Sequence, residues 1–404
     1  MNRLRTPHGD HHLARHPADP RDPHRAWDAA DEYLLNYLAG DTPADLTAKA
    51  EEHIPPGPAL TALREGRDPG RITILGDHWG ALTTALAPHH PVQITDSHLT
   101  QQATRANLAR NGLPVQDVTL LTTQDTPPPR TDLLLFRVPK SLALLEEQLH
   151  RLAPTLAPGA TVIGAGMVKE IHTSTLTLLG DLVGPTRTTL AAKKARLILT
   201  TPDQTLHRPP NPWPHTYTLP PATPGPLADH PVTNHAGIFC ADRLDLGTRL
   251  LLAHLPTRTG PVDVIDLGCG NGILGTAAAA ANPRAHVTFT DESHQAIASA
   301  KATWQANTPE AQADFHVTDA LTDIPTASAD VVLNNPPFHS HQATTDRTAL
   351  RMFQDAHRVL RQGGELRVVG NRHLGYHEHL KRIFGNCTVI ASNAKFVVLK
   401  AAKR

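Results

Sequence analysis

The chain has 404 residues, enough for two domains of ordinary size, and its 38 Lys plus Arg balance its 38 Asp plus Glu. That neutrality excludes a protein that meets nucleic acid by overall charge, so any such partner must be held by local basic patches. Three distant cysteines (Cys240, Cys269, Cys387) exclude a disulfide framework or zinc ribbon, and no run nears the ~20 apolar residues of a membrane span.

The N-terminus, "MNRLRTPHGDHHLARHP", is charged and has no apolar core of a signal peptide. The expectation is a soluble, cytoplasmic protein. Two histidine clusters (His8, His11, His12, His16, and His373, His377, His379) lack interleaved Cys or carboxylate ligands, so no metal is expected. Within residues 1–200, "RITIL" (71–75) predicts a strand, "VQIT" another, "SHLTQQATRANLARNG" a helix, and "TDLLLFRVPKSLALLEEQLHRL" a strand then a helix. Residues 201–231 carry so many prolines that neither helix nor central strand can persist, and they read as an extended connector along the surface.

From 232 to 404 the alternation sharpens. "VDVIDL", "HVTFTD", "DFHVTD", "ADVVLN" and "GELRVVG" are strands; "GILGTAAAAAN", "HQAIASAKATWQAN" and "ALRMFQDAHRVLRQ" are helices. Strands alternating with helices mean crossover connections and a parallel sheet. The first half follows the same plan more weakly, as an internal duplication would. The fold class is therefore α/β, two tandem Rossmann-like domains. The first is degenerate, because "GDHWGAL" (76–82) puts His78 and Trp79 where the second half has glycines.

"VIDLGCGNGILG" (264–275) is the strand-to-helix turn of the second half. Gly268, Gly270 and Gly272 allow a tight turn and close approach to a ligand at a helix N-terminus, and Asp291 ends the next strand where a carboxylate can accept two ribose hydroxyls. Gly270-Asn-Gly272-Ile-Leu-Gly275 with Asp291 also fits a dinucleotide fingerprint, so an NAD-dependent oxidoreductase stays open. Asp266, giving D-x-G-x-G-x-G, tips the reading to S-adenosylmethionine, since a carboxylate suits a cationic cofactor and would repel a pyrophosphate. Glycines serving strand–helix packing alone are the plainer reading. Asp319 is either a contact to the adenine amino group or a loop cap.

"NNPPFH" (334–339) follows a buried strand. Two prolines cannot extend a sheet, but they lock a backbone. A delocalised exocyclic amine is a poor nucleophile. The side-chain oxygen of Asn335 and the carbonyl of Pro336 could grip its hydrogens and aim its lone pair at a methyl donor, with Phe338 stacked on a flipped-out base. Asn334 could instead turn the strand end. A Pro-Pro loop with a buried Phe is the alternative without chemistry.

These motifs, with "AWDAADEYLLNYL", "VPKSLALLEEQL", "NHAGIFCADRLDLGTRLLLAHLP" and "NRHLGYHEHLKRIFGNCTVIASNAKFVVLKA", resemble the bacterial ribosomal RNA guanine-N2 methyltransferases with tandem related domains, nearer the large-subunit branch. The resemblance implies S-adenosylmethionine-dependent methylation of a guanine N2 amine in 23S rRNA. It also implies that Phe239, Asp245 and Gly247 close over the methionine end of the cofactor, and that the first half positions RNA. Local RNA contacts would come from Lys193, Lys194 and Arg196, and from Arg372, Lys381 and Arg382 with Lys395, Lys400 and Lys403. Other readings of the same chemistry are a 16S rRNA guanine, an adenine or a protein glutamine as acceptor; a non-catalytic ribosome-assembly factor is a reading without chemistry.

Overall fold

The computed structural model describes residues 2–18, 23–337 and 342–404. It divides into two compact units, Met1–Pro212 and Trp213–Arg404. The first starts with a hairpin of β1 (Arg3–Thr6) and β2 (Gly9–His12). Its sheet contains β3 (Ile72–Leu75), β4 (Val92–Thr95), β5 (Thr119–Thr122), β6 (Thr131–Arg137), β7 (Leu156–Met167), β8 (Thr186–Thr188) and β9 (Ala195–Thr200), in the order β5-β4-β3-β6-β7-β9-β8. The second unit opens with an antiparallel pair, β10 (His215–Thr218) and β11 (Pro231–Asn234). Its sheet contains β12 (Val262–Leu267), β13 (Ala285–Asp291), β14 (Gln312–Val317), β15 (Ala329–Asn334), β16 (Leu360–Asn371), β17 (Thr388–Ser392) and β18 (Phe396–Ala402), in the order β14-β13-β12-β15-β16-β18-β17.

The central strands β6 and β15 carry unbroken apolar runs because both of their faces are covered. Along β6, Leu133 and Leu135 enter one core while Leu134 and Phe136 enter the opposite one; along β15, Val331 and Leu333 part from Val332 in the same way. The expected parallel sheet is corrected at one edge of each unit, where β9 runs antiparallel to β7 and β8, and β18 to β16 and β17. Only residues 393–395 join β17 to β18, too few for a crossover, and the Asn393 side chain caps the turn by accepting from the Lys395 and Phe396 amides at 2.9 and 2.7 Å.

The proline-rich connector is also corrected. From Trp213 onward it belongs to the second unit: Leu219 and Leu227 are buried in its core, and β10 pairs with β11. A two-stranded ribbon tolerates this composition because Pro231 opens a strand, where its missing donor leaves no gap in the ladder.

Among the described residues no group of three or more His, Cys, Asp or Glu is arranged to hold a metal ion, and no helix is long and apolar enough to cross a membrane. In the N-terminal hairpin the His8 ring meets the Leu35 carbonyl at 3.1 Å, and burial lowers the pKa of both His8 and His11.

The strand registers superimpose the two units residue by residue. Leu75 lies beside Phe136 as Leu267 lies beside Asn334, which sets Arg137 in the place of Asn335. Gly76 and Gly80 turn with positive φ as Gly268 and Gly272 do. A Cβ on Gly80 would lie 2.7 Å from Thr104 Cα, and one on Gly272 would lie 2.8 Å from Ala300 Cα, so both helix starts press on the next helix alike.

What differs is the filling. Arg137 is 1% exposed; it donates to the carboxylates of Asp28 (2.9 Å) and Asp31 and to the Ala165 carbonyl at 3.2 Å. Burial opposes ionisation of Asp28, yet the Arg137 charge and hydrogen bond hold its carboxyl below the usual range. Burial, then the same charge, lowers the adjacent His78. Removing the cation strands the buried Asp31. Arg137→Ala is therefore expected to destabilise the first unit by about 3–5 kcal/mol, read as a fall in the urea midpoint; an unchanged midpoint would show that the triplet holds nothing together.

Candidate active site

In an open α/β sheet, ligands bind outside the carboxyl ends of the strands where the strand order reverses. In the second unit that point lies between β12 and β15, whose last residues, Leu267 and Asn334, are in register. The turn that follows β12 is pinned to β13: the Gly268 and Cys269 amides donate to Thr290 O at 2.8 and 3.0 Å. Gly268, Gly270 and Gly272 have φ of 68, 54 and 75°, and a Cβ on Gly270 would meet open space, as a ligand-facing position requires. Gly275 serves packing, since its Cβ would fall 2.4 Å from Phe289.

The acidic residues have separate tasks. Asp291 is half-buried; it accepts from the Gly270 amide (3.0 Å) and the Ser293 amide (3.0 Å), which ties the turn to the end of β13. Asp266 is 1% exposed and accepts from the Gly275 amide at 2.8 Å, and burial pushes its carboxyl up to about 8. It therefore braces the helix start from below, where burial favours its neutral form. This corrects the expectation that its charge faces a cationic cofactor. In the first unit Asp77 does the same work from the turn, accepting from the Thr83 amide, which sits in the register position of Gly275. Asp319 is engaged by Arg351, so its carboxylate is shared within the protein.

Asn335 is where separate segments meet. Its Nδ2 donates to Thr248 Oγ1 at 2.9 Å and to Asp245 Oδ2 at 3.2 Å. Asp245 also caps the helix Leu246–Leu252, accepting from the Thr248 amide at 2.8 Å. A Cβ on the buried Gly247 would press on both Asp245 Oδ2 (3.0 Å) and Phe396 (3.4 Å). Among the described residues no donor reaches the buried Oδ1 of Asn335. Pro336 is buried behind it, and the fully buried Asn334 holds the β12 end by donating to Leu267 O at 2.8 Å. Phe239 is 54% exposed, and Phe338 lies outside the described residues.

Sequence reasoning missed Thr248, although its spacing from Asp245 is that of a capping pair. It also missed Asn234, whose Oδ1 receives Asn271 Nδ2 at 3.0 Å inside the glycine turn; no local pattern signals that contact. The basic candidates are scattered. Lys193 is ion-paired with Glu32 at 2.9 Å, Lys194 is exposed, Arg196 is half-buried, and Arg372, Lys381 and Arg382 are exposed around the helix Tyr376–Phe384.

The RLMG N-terminal domain model matches residues 1–204, and the methyltransferase small domain model matches residues 229–400. Proteins named ribosomal RNA large subunit methyltransferase G from Streptomyces griseus and Streptomyces avermitilis are 58% and 59% identical, covering 100% and 99% of both chains. The chain belongs to the ribosomal RNA large subunit methyltransferase G family. A namesake from Aeromonas salmonicida is 45% identical over 97% of each chain. A T. thermophilus 16S rRNA N2 methyltransferase, solved with AdoMet and guanosine, shares the fold at TM-score 0.72 and 21% identity, covering 100% of this chain and 98% of that one.

The methyl donor expected from the glycine turn is S-adenosylmethionine. The residues present fit it: a glycine turn with one position open to a ligand, a half-exposed carboxylate at the end of β13, and an unpartnered acceptor across the same crevice. The Asp266 brace has a pH signature. Because its folded pKa is raised, it favours the folded state below the ordinary carboxylate range, and that contribution is lost as pH rises toward about 8. Asp266→Asn keeps an acceptor for Gly275 without the titration, so its stability relative to wild type should rise by on the order of 2 kcal/mol between about pH 5 and pH 7. Parallel urea curves at the two pH values check this, and a constant difference would remove the titration from Asp266.

Proposed function

We propose that this chain methylates the exocyclic N2 amine of one guanine in 23S rRNA, with the chemistry in the second unit and RNA positioning in the first. The observation that carries the reading is the free Oδ1 of Asn335, a buried acceptor whose amide is otherwise fully engaged. A buried acceptor without a partner costs about 1–3 kcal/mol. It is retained where an incoming donor completes it.

S-adenosylmethionine, when bound, supplies an electrophilic methyl group on a sulfonium centre. Gly268, Gly270, Gly272, Asp291 and Asp319, with Phe239, Asp245 and Gly247 on the facing segment, would hold it, and Asp266 would support the turn from beneath. Asn335 Oδ1 and the Pro336 carbonyl then accept the two amine hydrogens, which localises the nitrogen lone pair and orients it. Proline fixes the backbone, and so the direction of that second acceptor. Phe338 would stack on the base. In the first unit Arg137 occupies the position of Asn335, which supports a binding role for that half rather than a second reaction.

The large-subunit target is supported by the names of relatives 58% and 59% identical over nearly the whole chain. Nucleoside digests of rRNA from cells with and without the gene test the whole reading. Loss of N2-methylguanosine from one large-subunit position is expected; loss from the small subunit, or of a methyladenosine, would replace it. Asn335→Ala should lower turnover on the order of 10²-fold while S-adenosylmethionine affinity, followed by calorimetry, stays at the wild-type value. A wild-type methylation rate would take the role away from Asn335.

A further inference from the structure

The first unit carries a cavity of about 290 Å³ that no part of the proposed reaction uses. Four basic side chains line it: Lys49 near the end of the helix Ala44–Glu51, His53 just beyond, Arg187 on β8 and Arg196 on β9. Lys49, His53 and Arg187 are exposed, so the cavity opens at the surface. Among the described residues no carboxylate lies within ion-pair distance of Lys49, Arg187 or Arg196, and the buried Nε of Arg196 has no acceptor. In a chain with no net charge, such a concentration of unneutralised cations is a local decision.

The duplication supplies a control within the molecule. Counting outward through the two sheets, Arg187 opposite Leu199 corresponds to Thr388 opposite Lys400, and Arg196 opposite Gly166 corresponds to Val397 opposite Gly370. The same edge in the second unit is thus built with a threonine and a valine. The scaffold does not require arginines here, and burying part of Arg196 without an acceptor works against stability.

We infer that this cavity is a phosphodiester seat, in which Arg187, Arg196 and Lys49 hold a backbone phosphate of the RNA substrate. Arginine's planar fork matches phosphate oxygens, and the buried Nε of Arg196 is a donor left without an acceptor. The inference rests on rRNA being the substrate. It names where the first unit grips that RNA, and it moves the grip from the Lys193–Lys194 turn, where Lys193 is already held by Glu32.

The test measures binding of protein-free large-subunit rRNA to the full-length chain at several KCl concentrations. Arg187→Gln/Arg196→Gln should lower affinity about 10-fold at low salt and reduce the slope of log K against log [salt] by about 1. S-adenosylmethionine affinity and turnover at saturating RNA should remain at wild-type values. Lys49→Gln, on an exposed helix surface, should shift the slope in the same direction; it decides the matter if the double variant unfolds early in a thermal scan. Wild-type affinity and slope in a folded double variant, or in Lys49→Gln where the double variant does not fold, overturn the seat. So does binding of inorganic phosphate that the variants abolish while their rRNA affinity is unchanged, because the site would then hold free anions only. Failure of the wild-type chain to form N2-methylguanosine in 23S rRNA would instead strike the functional reading, since the salt slope is measured without turnover.

Discussion

A carboxamide has two ends of nearly the same shape, and the chemistry proposed for this protein depends on which end faces the crevice. Asp245 decides it. Its Oδ2 already accepts from the Thr248 amide, and as a carboxylate it offers only acceptors, so the nitrogen of Asn335 must turn toward it. The Thr248 hydroxyl holds the same nitrogen, and the buried oxygen is left with no partner among the described residues. One helix cap thereby sets the orientation of a side chain 90 residues away in sequence.

The rest of the crevice is arranged around that fixed amide. The register of Leu267 with Asn334 brings the glycine turn beside it, and Asn334 locks the two strand ends together through Leu267 O. The turn has its own supports, Asp291 from the side and Asp266 from below. Their environments give the two carboxyls different functions. The half-buried one stays near solvent and any ligand, while the sealed one is driven toward its neutral form and acts as a brace.

The first unit carries the same scaffold with a different filling. Its glycine turn keeps the positive φ values, and a carboxyl group still caps the helix start, now from Asp77. The position of the key asparagine is filled by Arg137, bound to Asp28 and Asp31. An ion triplet centred on a buried arginine fills space and resists rearrangement, because removing that cation leaves the buried Asp31 uncompensated. The outer edge of its sheet carries two arginines where the second unit has a threonine and a valine.

Much of this was written in local pattern. The β12 and β15 strands, the helix His294–Asn307, the glycine turn, Asn335 and the duplication follow from period, turn chemistry and spacing, because buried parallel strands and helix starts impose them residue by residue. Local pattern could not say that Trp213–Pro231 joins the second core, nor that β18 runs antiparallel; both depend on which partner a segment meets. The protonation of Asp266, the clamp on Asn335 and the convergence of Lys49, Arg187 and Arg196 were likewise decided only on folding. Desolvation, hydrogen-bond direction and charge density are properties of neighbours in space, and residues distant in sequence become neighbours only when the sheets close.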